Sequence, residues 1–132
     1  MNGSKTYRND EYLATLITIK PIMGPGTYYV SKIAALSDEK VHHIIINGCK
    51  NEPSGPTDVR DTTSISCKNQ KILYAWALDA DPLVLPRGAA IQLGGNSNVN
   101  SIKIEAHYKD AFKGTDRITG IEGPYYTNSK QN

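Results

Sequence analysis

This 132-residue sequence is poor in several features, and each scarcity excludes a class of protein. Charge of one sign does not predominate, because 15 Lys and Arg residues stand against 13 Asp and Glu and give a net charge of +2. That charge is too small to hold a nucleic acid backbone by electrostatics alone, so no nucleic-acid partner is predicted. The longest apolar run, around Ile44 to Ile46, is far shorter than the roughly 20 residues of a transmembrane helix, so no membrane span is predicted.

The N-terminal segment lacks the apolar stretch of a secretory signal peptide, because MNGSKTYRNDEY is polar and charged. The chain is therefore expected to be made in the cytosol, or to be a mature or recombinant form.

Cysteine is also scarce, with two residues in the whole chain. Cys49 and Cys67 flank a polar stretch and could be bridged, while two reduced, buried thiols are the alternative that composition leaves open.

The overall composition is typical of one folded domain, because apolar residues make up 39% of the chain, which is enough for one hydrophobic core. Short runs of β-branched and aromatic residues, separated by turn-forming residues, predict strands, and no window has a convincing helical period. The polar stretch from Lys50 to Asn69 predicts a long surface loop. The predicted fold class is all-β, a single domain with a jelly-roll-like antiparallel β-sandwich. The predicted strands cover residues 12–20, 27–30, 41–46, 71–78, 89–93, 101–108 and 123–127.

Two of the predicted strands alternate between apolar and polar or small residues, which indicates which side chains share a face. In residues 101–108, the apolar side chains fall on one face, and Lys103, Glu105 and His107 fall on the other. His107 is therefore expected on a polar face. The residues of the 71–78 run that should share a face are Ile72, Tyr74, Trp76 and Leu78.

The three histidines of the chain are His42, His43 and His107. Burying a pair of imidazoles in an apolar strand costs free energy unless each ring finds a partner, and a copper or zinc ion is one such partner. Adjacent strand residues point to opposite faces, so a shared ion requires a β-bulge or a strand end at the histidine pair. The alternative is a satisfied core histidine beside an exposed one, with His107 at the surface.

Three segments together resemble the copper type II ascorbate-dependent monooxygenases, and the peptidylglycine α-hydroxylating enzymes more than the dopamine β-monooxygenases. The segments are VHHIIINGC (residues 41–49), ILYAWALDADPLVLPRGAAIQLGG (residues 72–95) and IKIEAHY (residues 102–108). The resemblance implies that residues 1–132 form a single copper-binding β-sandwich domain, similar to the first domain of a two-domain enzyme. It also implies that one copper ion is bound by His42, His43 and His107 as an electron-transfer centre. Nothing in the chain matches the second domain, and no catalytic residue is expected here.

The resemblance also assigns roles around the implied metal. It implies that Cys49 and Cys67 form a loop disulfide and that Tyr12 lies near the copper, although an exposed strand aromatic is the alternative for Tyr12. Glu105 stands where the family has a glutamine, which puts a carboxylate beside the metal. Ala14 stands where the family has a cysteine, so a second disulfide of the family is missing.

In the reaction that the resemblance implies, ascorbate reduces copper, dioxygen is activated at a second metal, and the α-carbon of a peptidyl glycine is hydroxylated. This chain is expected to supply only the electron-storing part. It would need a second copper domain as partner, and would meet a peptide substrate only with that domain. A non-catalytic copper-binding or recognition module derived from the domain is the alternative, and a sandwich whose histidines bind nothing is a third. The implied location is the secretory pathway or the extracellular space.

Overall fold

The fold is almost entirely β-structure in the part of the chain that the computed structural model describes. That part comprises residues 4–6, 11–36, 41–52, 60–61, 65–77, 81–108, 112–116, 120–122 and 125–127. Its elements, in chain order, are β1 (Ser4–Thr6), β2 (Glu11–Thr18), α1 (Ile19–Met23), β3 (Thr27–Val30), β4 (Lys32–Leu36), β5 (Val41–Cys49), β6 (Arg60–Asp61), β7 (Lys71–Ala77), β8 (Leu83–Val84), β9 (Ile91–Gly94), β10 (Ser101–Tyr108), β11 (Phe112–Asp116), β12 (Gly120–Glu122) and β13 (Tyr125–Thr127).

The largest sheet has five antiparallel strands in the order β6-β2-β10-β5-β7. Its central strand, β10, pairs with β2 along its whole length and with β5 on the other side. Smaller antiparallel sheets have the orders β13-β3-β9, β12-β4-β8 and β1-β11. The predicted all-β antiparallel sandwich is thus confirmed.

One face of the large sheet forms the hydrophobic core. Ile44, Ile46 and Tyr108 are fully buried there, and Ile104 is 3% exposed. They belong to one cluster with Tyr28 and other side chains from the smaller sheets. The alternating apolar side chains of residues 101–108 therefore face the core, as predicted. The other face of β10 is polar but not exposed, since Lys103 is 7% and His107 8% exposed.

Strand β5 is longer than the sequence predicts. The Asn47–Gly48 pair was expected to end the strand after Ile46, yet β5 continues to Cys49. Pairing with β10 on one side and β7 on the other holds this end of the strand extended. Gly48 is needed for packing rather than for a turn, because a Cβ at this position would lie 3.0 Å from a methyl carbon of Val99.

Two further predictions were wrong in detail. Strand β2 ends at Thr18, and residues Ile19–Met23 form a helix of five residues that is followed by the cap residue Gly24, whose φ is 89°. A helix this short has too few residues to show a 3.6-residue period, so the apolar run of β2 concealed it. Strand β9 begins at Ile91, two residues later than predicted, and ends at Gly94.

Strand β7 contains a β-bulge that changes which of its residues share a face. Ile46 pairs with Tyr74 while Asn47 pairs with Ile72, so Leu73 is an extra residue in the ladder. The bulge reverses the alternation, with Leu73 packed against the core and Ile72 66% exposed. The prediction that Ile72 shares the face of Tyr74 and Trp76 was therefore wrong, and Leu78 lies outside the described residues.

The predicted surface loop between Lys50 and Asn69 is held at both ends. Cys49 and Cys67 form a disulfide with a Cα–Cα distance of 5.0 Å. The Lys50 N–H donates to the Lys68 carbonyl oxygen at 2.8 Å, and the Lys68 N–H donates to Asn51 Oδ1 at 2.9 Å. Within the loop, β6 adds a two-residue strand beside β2 that was not predicted. The last predicted strand, 123–127, corresponds to β13, and residues 123–124 lie outside the described part.

Candidate metal centre

The three histidines meet at one end of the large sheet because the ladder between β5 and β10 is irregular there. His107 pairs with His43, but the next residue of β10, Tyr108, pairs with Val41. His42 is thus an extra residue on β5, which defines a β-bulge. This is the irregularity that a shared ion requires of two adjacent strand residues, since it allows both imidazoles to lie on one side of the sheet.

The imidazole rings form a tight group. The ring centroids of His43 and His107 are 4.7 Å apart, those of His42 and His107 5.6 Å, and those of His42 and His43 5.9 Å. One ring nitrogen from each histidine lies within 4.8 Å of the others. His107 is buried, His43 is partly buried and His42 is exposed, so the group opens to solvent on the side of His42. The alternative arrangement, with His107 at the surface, is not what the structure has.

Tyr12 covers two of the three rings. It is the partner of His107 in the ladder between β2 and β10. Its ring stacks on that of His107 with centroids 4.2 Å apart and planes 6° apart. The same ring lies edge-on to His43, with centroids 6.3 Å apart and an angle of 61°. Tyr12 is 39% exposed, so it is both an exposed strand aromatic and a direct contact of the histidine group.

The surroundings favour the neutral form of His43. Burial lowers the pKa of its imidazole, and the positive charges that His107 and His42 can carry lower this pKa further. The carboxylate of Glu105 acts in the opposite direction and raises the pKa of His43. A neutral imidazole is the form that binds a metal ion, so His43 is prepared for binding near neutral pH.

Comparison with known proteins identifies the family to which this arrangement belongs. Residues 4–114 match the family described as copper type II ascorbate-dependent monooxygenase, N-terminal domain. This chain belongs to that family. The resemblance inferred from the three sequence segments is thus confirmed, and the histidines, Tyr12 and Glu105 all lie within the matched residues.

The chain is also similar to individual amidating enzymes. It is 37% identical to peptidyl-glycine alpha-amidating monooxygenase B of Xenopus laevis over 124 residues, which cover 93% of this chain and 14% of that protein. It is 35% identical to the A enzyme of the same species over 97 residues, covering 65% of this chain and 10% of that protein. The peptidylglycine alpha-amidating monooxygenase of Rattus norvegicus is 35% identical over 75 residues, covering 56% of this chain and 8% of that protein. The chain spans 14% or less of the length of these relatives.

The histidine group fits a copper ion of the kind that the copper monooxygenase family uses. Imidazole is a good ligand for copper, and metal–nitrogen bonds are about 2.0–2.1 Å long. Two nitrogens bound to one ion therefore lie at most about 4.2 Å apart. The nitrogens lie within 4.8 Å of one another, which is close to that limit, so the three donors are compatible with one shared ion. Three imidazoles alone do not distinguish copper from zinc.

Glu105 lies on the same face of β10 as His107, two residues away. Its partners in the two ladders are Ala14 on β2 and Ile45 on β5, and its side chain is half-buried. Among the described residues, the group that could hold an ion consists of the three histidines, so Glu105 is a neighbour of the group and not a member of it.

Two buried polar residues on the same face of the sheet were missed by the sequence reasoning. Lys103 and Asn47 face each other in the ladder between β10 and β5, and Asn47 is 1% exposed. Within the described residues, neither atom of the Asn47 side-chain amide has a hydrogen-bond partner. An asparagine before a glycine usually marks a turn, which is why the predicted strand 41–46 stops before Asn47. The burial of Asn47 follows from its pairing with Lys103 in the ladder, and this pairing depends on the register between the two strands.

Over the residues that the structure describes, no helix has the length and apolar character needed to cross a bilayer.

Proposed function

We propose that this chain is a copper-binding domain in which His42, His43 and His107 bind one copper ion that stores and passes on a single electron. The observation that carries the proposal is the β-bulge at His42, which brings three imidazoles within 4.8 Å in a chain of a copper monooxygenase family. A copper ion bound by these imidazoles would supply a one-electron couple between Cu(II) and Cu(I), with ascorbate as the proposed reductant.

The protein residues have distinct parts in this proposal. Each imidazole would donate a nitrogen lone pair to the ion. The lowered pKa of His43 keeps the lone pair of its own ring available near neutral pH. Stacking against Tyr12 restricts rotation of the His107 ring. The exposed side of the group at His42 leaves an approach for a small reductant. No residue of the chain is assigned to activation of dioxygen.

We further propose that the chain acts with a second copper domain, and that hydroxylation of the α-carbon of a peptidyl glycine takes place only in that combination. The description of the family as an N-terminal domain supports this division, and so do the names of the relatives as peptidylglycine alpha-amidating monooxygenases. A location in the secretory pathway or outside the cell accords with the Cys49–Cys67 disulfide, because disulfides persist mainly in oxidising compartments.

The first test is a titration of the metal-free protein with Cu(II), followed by electron paramagnetic resonance to count nitrogen ligands. We expect one copper ion per chain with nitrogen ligation in the unmodified protein. The variant His107→Ala should lose at least about 100-fold in copper affinity, since loss even of a supporting contact typically costs 10–100-fold. Lys71→Ala, which changes an exposed residue of β7, is the control and should bind copper normally. Equal affinities in the two variants would refute the site.

A second test concerns electron transfer. Ascorbate should remove the Cu(II) resonance of the loaded protein, and a glycine-extended peptide should be hydroxylated when a second-domain protein and oxygen are added. Copper that is bound by three nitrogens but is never reduced by ascorbate would instead indicate the alternative, a non-catalytic copper-binding or recognition module.

A further inference from the structure

Among the residues that the structure describes, Glu105 is the charged residue of β10 that is closest in register to the histidine group on the same face of the sheet. His43 and His107 are direct partners in the ladder between β5 and β10, and Glu105 is two residues from His107 on β10. Glu105 is therefore a diagonal neighbour of His43. Diagonal neighbours on one face of an antiparallel pair are about 7–8 Å apart, which is within reach of a long side chain.

The surroundings of Glu105 hold this arrangement in place. Strand β10 is the centre of the five-stranded sheet, and Glu105 is paired on both sides, with Ala14 and with Ile45. The side chain is half-buried, so its carboxylate is less screened by water than one at the surface. The carboxylate raises the pKa of His43, which is the direction expected of a negative charge near an imidazole. Lys103, the next residue on this face, lies on the side of Glu105 away from the histidines.

We propose that Glu105 is a positioning residue whose negative charge makes the three-histidine site prefer a doubly charged metal ion over Cu(I). The inference rests on the proposed function, because it takes the three imidazoles to be the ligands. The physical reason is that the attraction between a fixed carboxylate and a metal ion is proportional to the charge of the ion. The carboxylate therefore stabilises Cu(II) and Zn(II) about twice as strongly as Cu(I), without binding the ion itself.

The expected consequence is a change in selectivity that a purely structural residue would not cause. At the separation of diagonal neighbours and in partly buried surroundings, removal of the charge should lower the ratio of Cu(II) to Cu(I) affinity about tenfold. For a one-electron couple, a tenfold change in this ratio is about 59 mV, so the reduction potential should rise by that amount. Zn(II) affinity should fall together with that of Cu(II).

The experiment compares the full chain with Glu105→Gln, which removes the charge and keeps the size of the side chain. The metal-free proteins are titrated with Cu(I) in the presence of a competing chelator and without oxygen, and separately with Cu(II) and Zn(II). The control is Glu52→Gln, the same chemical change at an exposed residue three positions beyond Cys49. Cys49 lies six residues from His43 along β5, or about 20 Å at the usual rise of a strand. This control should leave every affinity unchanged.

The outcomes distinguish a failure of the proposed function from a failure of the role proposed for Glu105. An unmodified chain that binds none of the ions through nitrogen overturns the proposed function. An unmodified chain that binds them normally, with a Glu105→Gln variant whose Cu(II) to Cu(I) ratio is unchanged, overturns only the role of Glu105. Equal losses for all three ions also overturn it, because they indicate a structural effect. Glu105→Asp retains the charge and should retain most of the preference, and Glu105→Ser provides a second neutral variant if Glu105→Gln folds poorly.

Discussion

Tyr12 connects the folding of the sheet to the histidine group, because one side chain contacts two of the three rings. Its stacked contact with His107 is an aromatic pair of the kind that contributes about 0.5–1.5 kcal/mol beyond the burial of area. The contact also restricts the orientation of a buried imidazole, which a metal site requires. We therefore expect Tyr12 to affect both the stability of the fold and the proposed binding of the metal.

We expect Tyr12→Ala to lower the free energy of unfolding by about 1 kcal/mol and to weaken copper binding about tenfold, because the ring that orients His107 is removed. Tyr12→Phe keeps the ring and should leave both quantities nearly unchanged. Urea unfolding of the metal-free protein and copper titration measure the two effects. A Tyr12→Phe variant that behaves like Tyr12→Ala would show that the hydroxyl, and not the stacked ring, is what matters.

His43 gives the metal-free protein a pH dependence whose sign follows from its lowered pKa. The folded protein releases the proton of His43 at a lower pH than the unfolded chain, whose histidines titrate near 6.5. As the pH falls below about 6.5, the unfolded chain takes up this proton first, so the folded state loses stability. The loss from this group ends below its lowered pKa in the folded state, where both states are protonated.

We therefore expect the urea midpoint of the metal-free protein to fall as the pH is lowered from about 7.5 to about 5.5. The variant His43→Gln, which cannot titrate, should show a shallower pH dependence over the same interval. Copper affinity should fall in the same direction, because protons compete with the metal for the imidazole nitrogens. A midpoint that rises as the pH is lowered would contradict the assigned direction of the shift.

At the scale of the elements, the two bulges determine what β5 and β7 present to the two faces of the sheet. The bulge in β7 turns Leu73 toward the core and leaves Ile72 exposed, while Trp76 packs against the core from its partly buried position. A strand without the bulge would place Ile72 and Trp76 on the same face. Substitution of these two residues therefore tests the bulge directly.

Trp76→Ala should lower the free energy of unfolding by about 3 kcal/mol, the lower end of the range for large aromatic side chains, because Trp76 is only partly buried. The matched change Ile72→Ala on the same strand should stay within about 0.5 kcal/mol, as is usual for exposed residues. Chemical unfolding measures both. Similar losses for the two variants would mean that the strand has the regular alternation and no bulge.

How well the sequence predicts an element depends on whether the signal is local. Strands β3 and β10 were predicted with the bounds that the structure has, because alternation and flanking turn residues are properties of the segments themselves. The end of β5 was not predicted, because Asn47 and Gly48 are held extended by pairing with β10 and β7 and by contact with Val99. These partners are distant from them in sequence.

The candidate site could be predicted in part, because the residue type of the histidines and the resemblance to the family indicate them as metal ligands. A shared ion required a β-bulge or a strand end at the histidine pair, but the choice of His42 as the extra residue and the stacking of Tyr12 on His107 arise from the register between strands and could not be read from the sequence.

For the whole molecule, the Cys49–Cys67 disulfide lies far enough from the proposed metal site that we expect it to affect stability and not metal binding. It joins the end of β5 to the end of the long loop, and His43 lies near the opposite end of the same strand. The hydrogen bonds of Asn51 with Ser66 and Lys68 hold the same end of the loop. The disulfide should therefore stabilise the fold without adjusting the geometry of the histidines.

The double variant Cys49→Ala/Cys67→Ala should lose about 3 kcal/mol of unfolding free energy in the chain-entropy view of loop closure. Its copper affinity should remain within about twofold of that of the unmodified protein. Changes at sites this far apart, with no shared partners, usually have independent energetic effects. Urea unfolding and copper titration of the same preparation measure the two quantities. A copper affinity that falls along with the stability would show that the loop and the metal centre are coupled.

The double-sided pairing of β5 limits which changes of length the protein can accept during evolution. Side chains alternate along a strand, so a net gain or loss of one residue between His43 and Cys49 that is not taken up by a β-bulge would turn either the imidazole or the disulfide sulfur to the wrong side of the sheet. Such a change would remove the metal site or the covalent crosslink in a single step. In relatives that have both the three histidines and the disulfide, insertions and deletions should therefore be found outside the stretch from His43 to Cys49. The number of residues in this stretch should be constant among them.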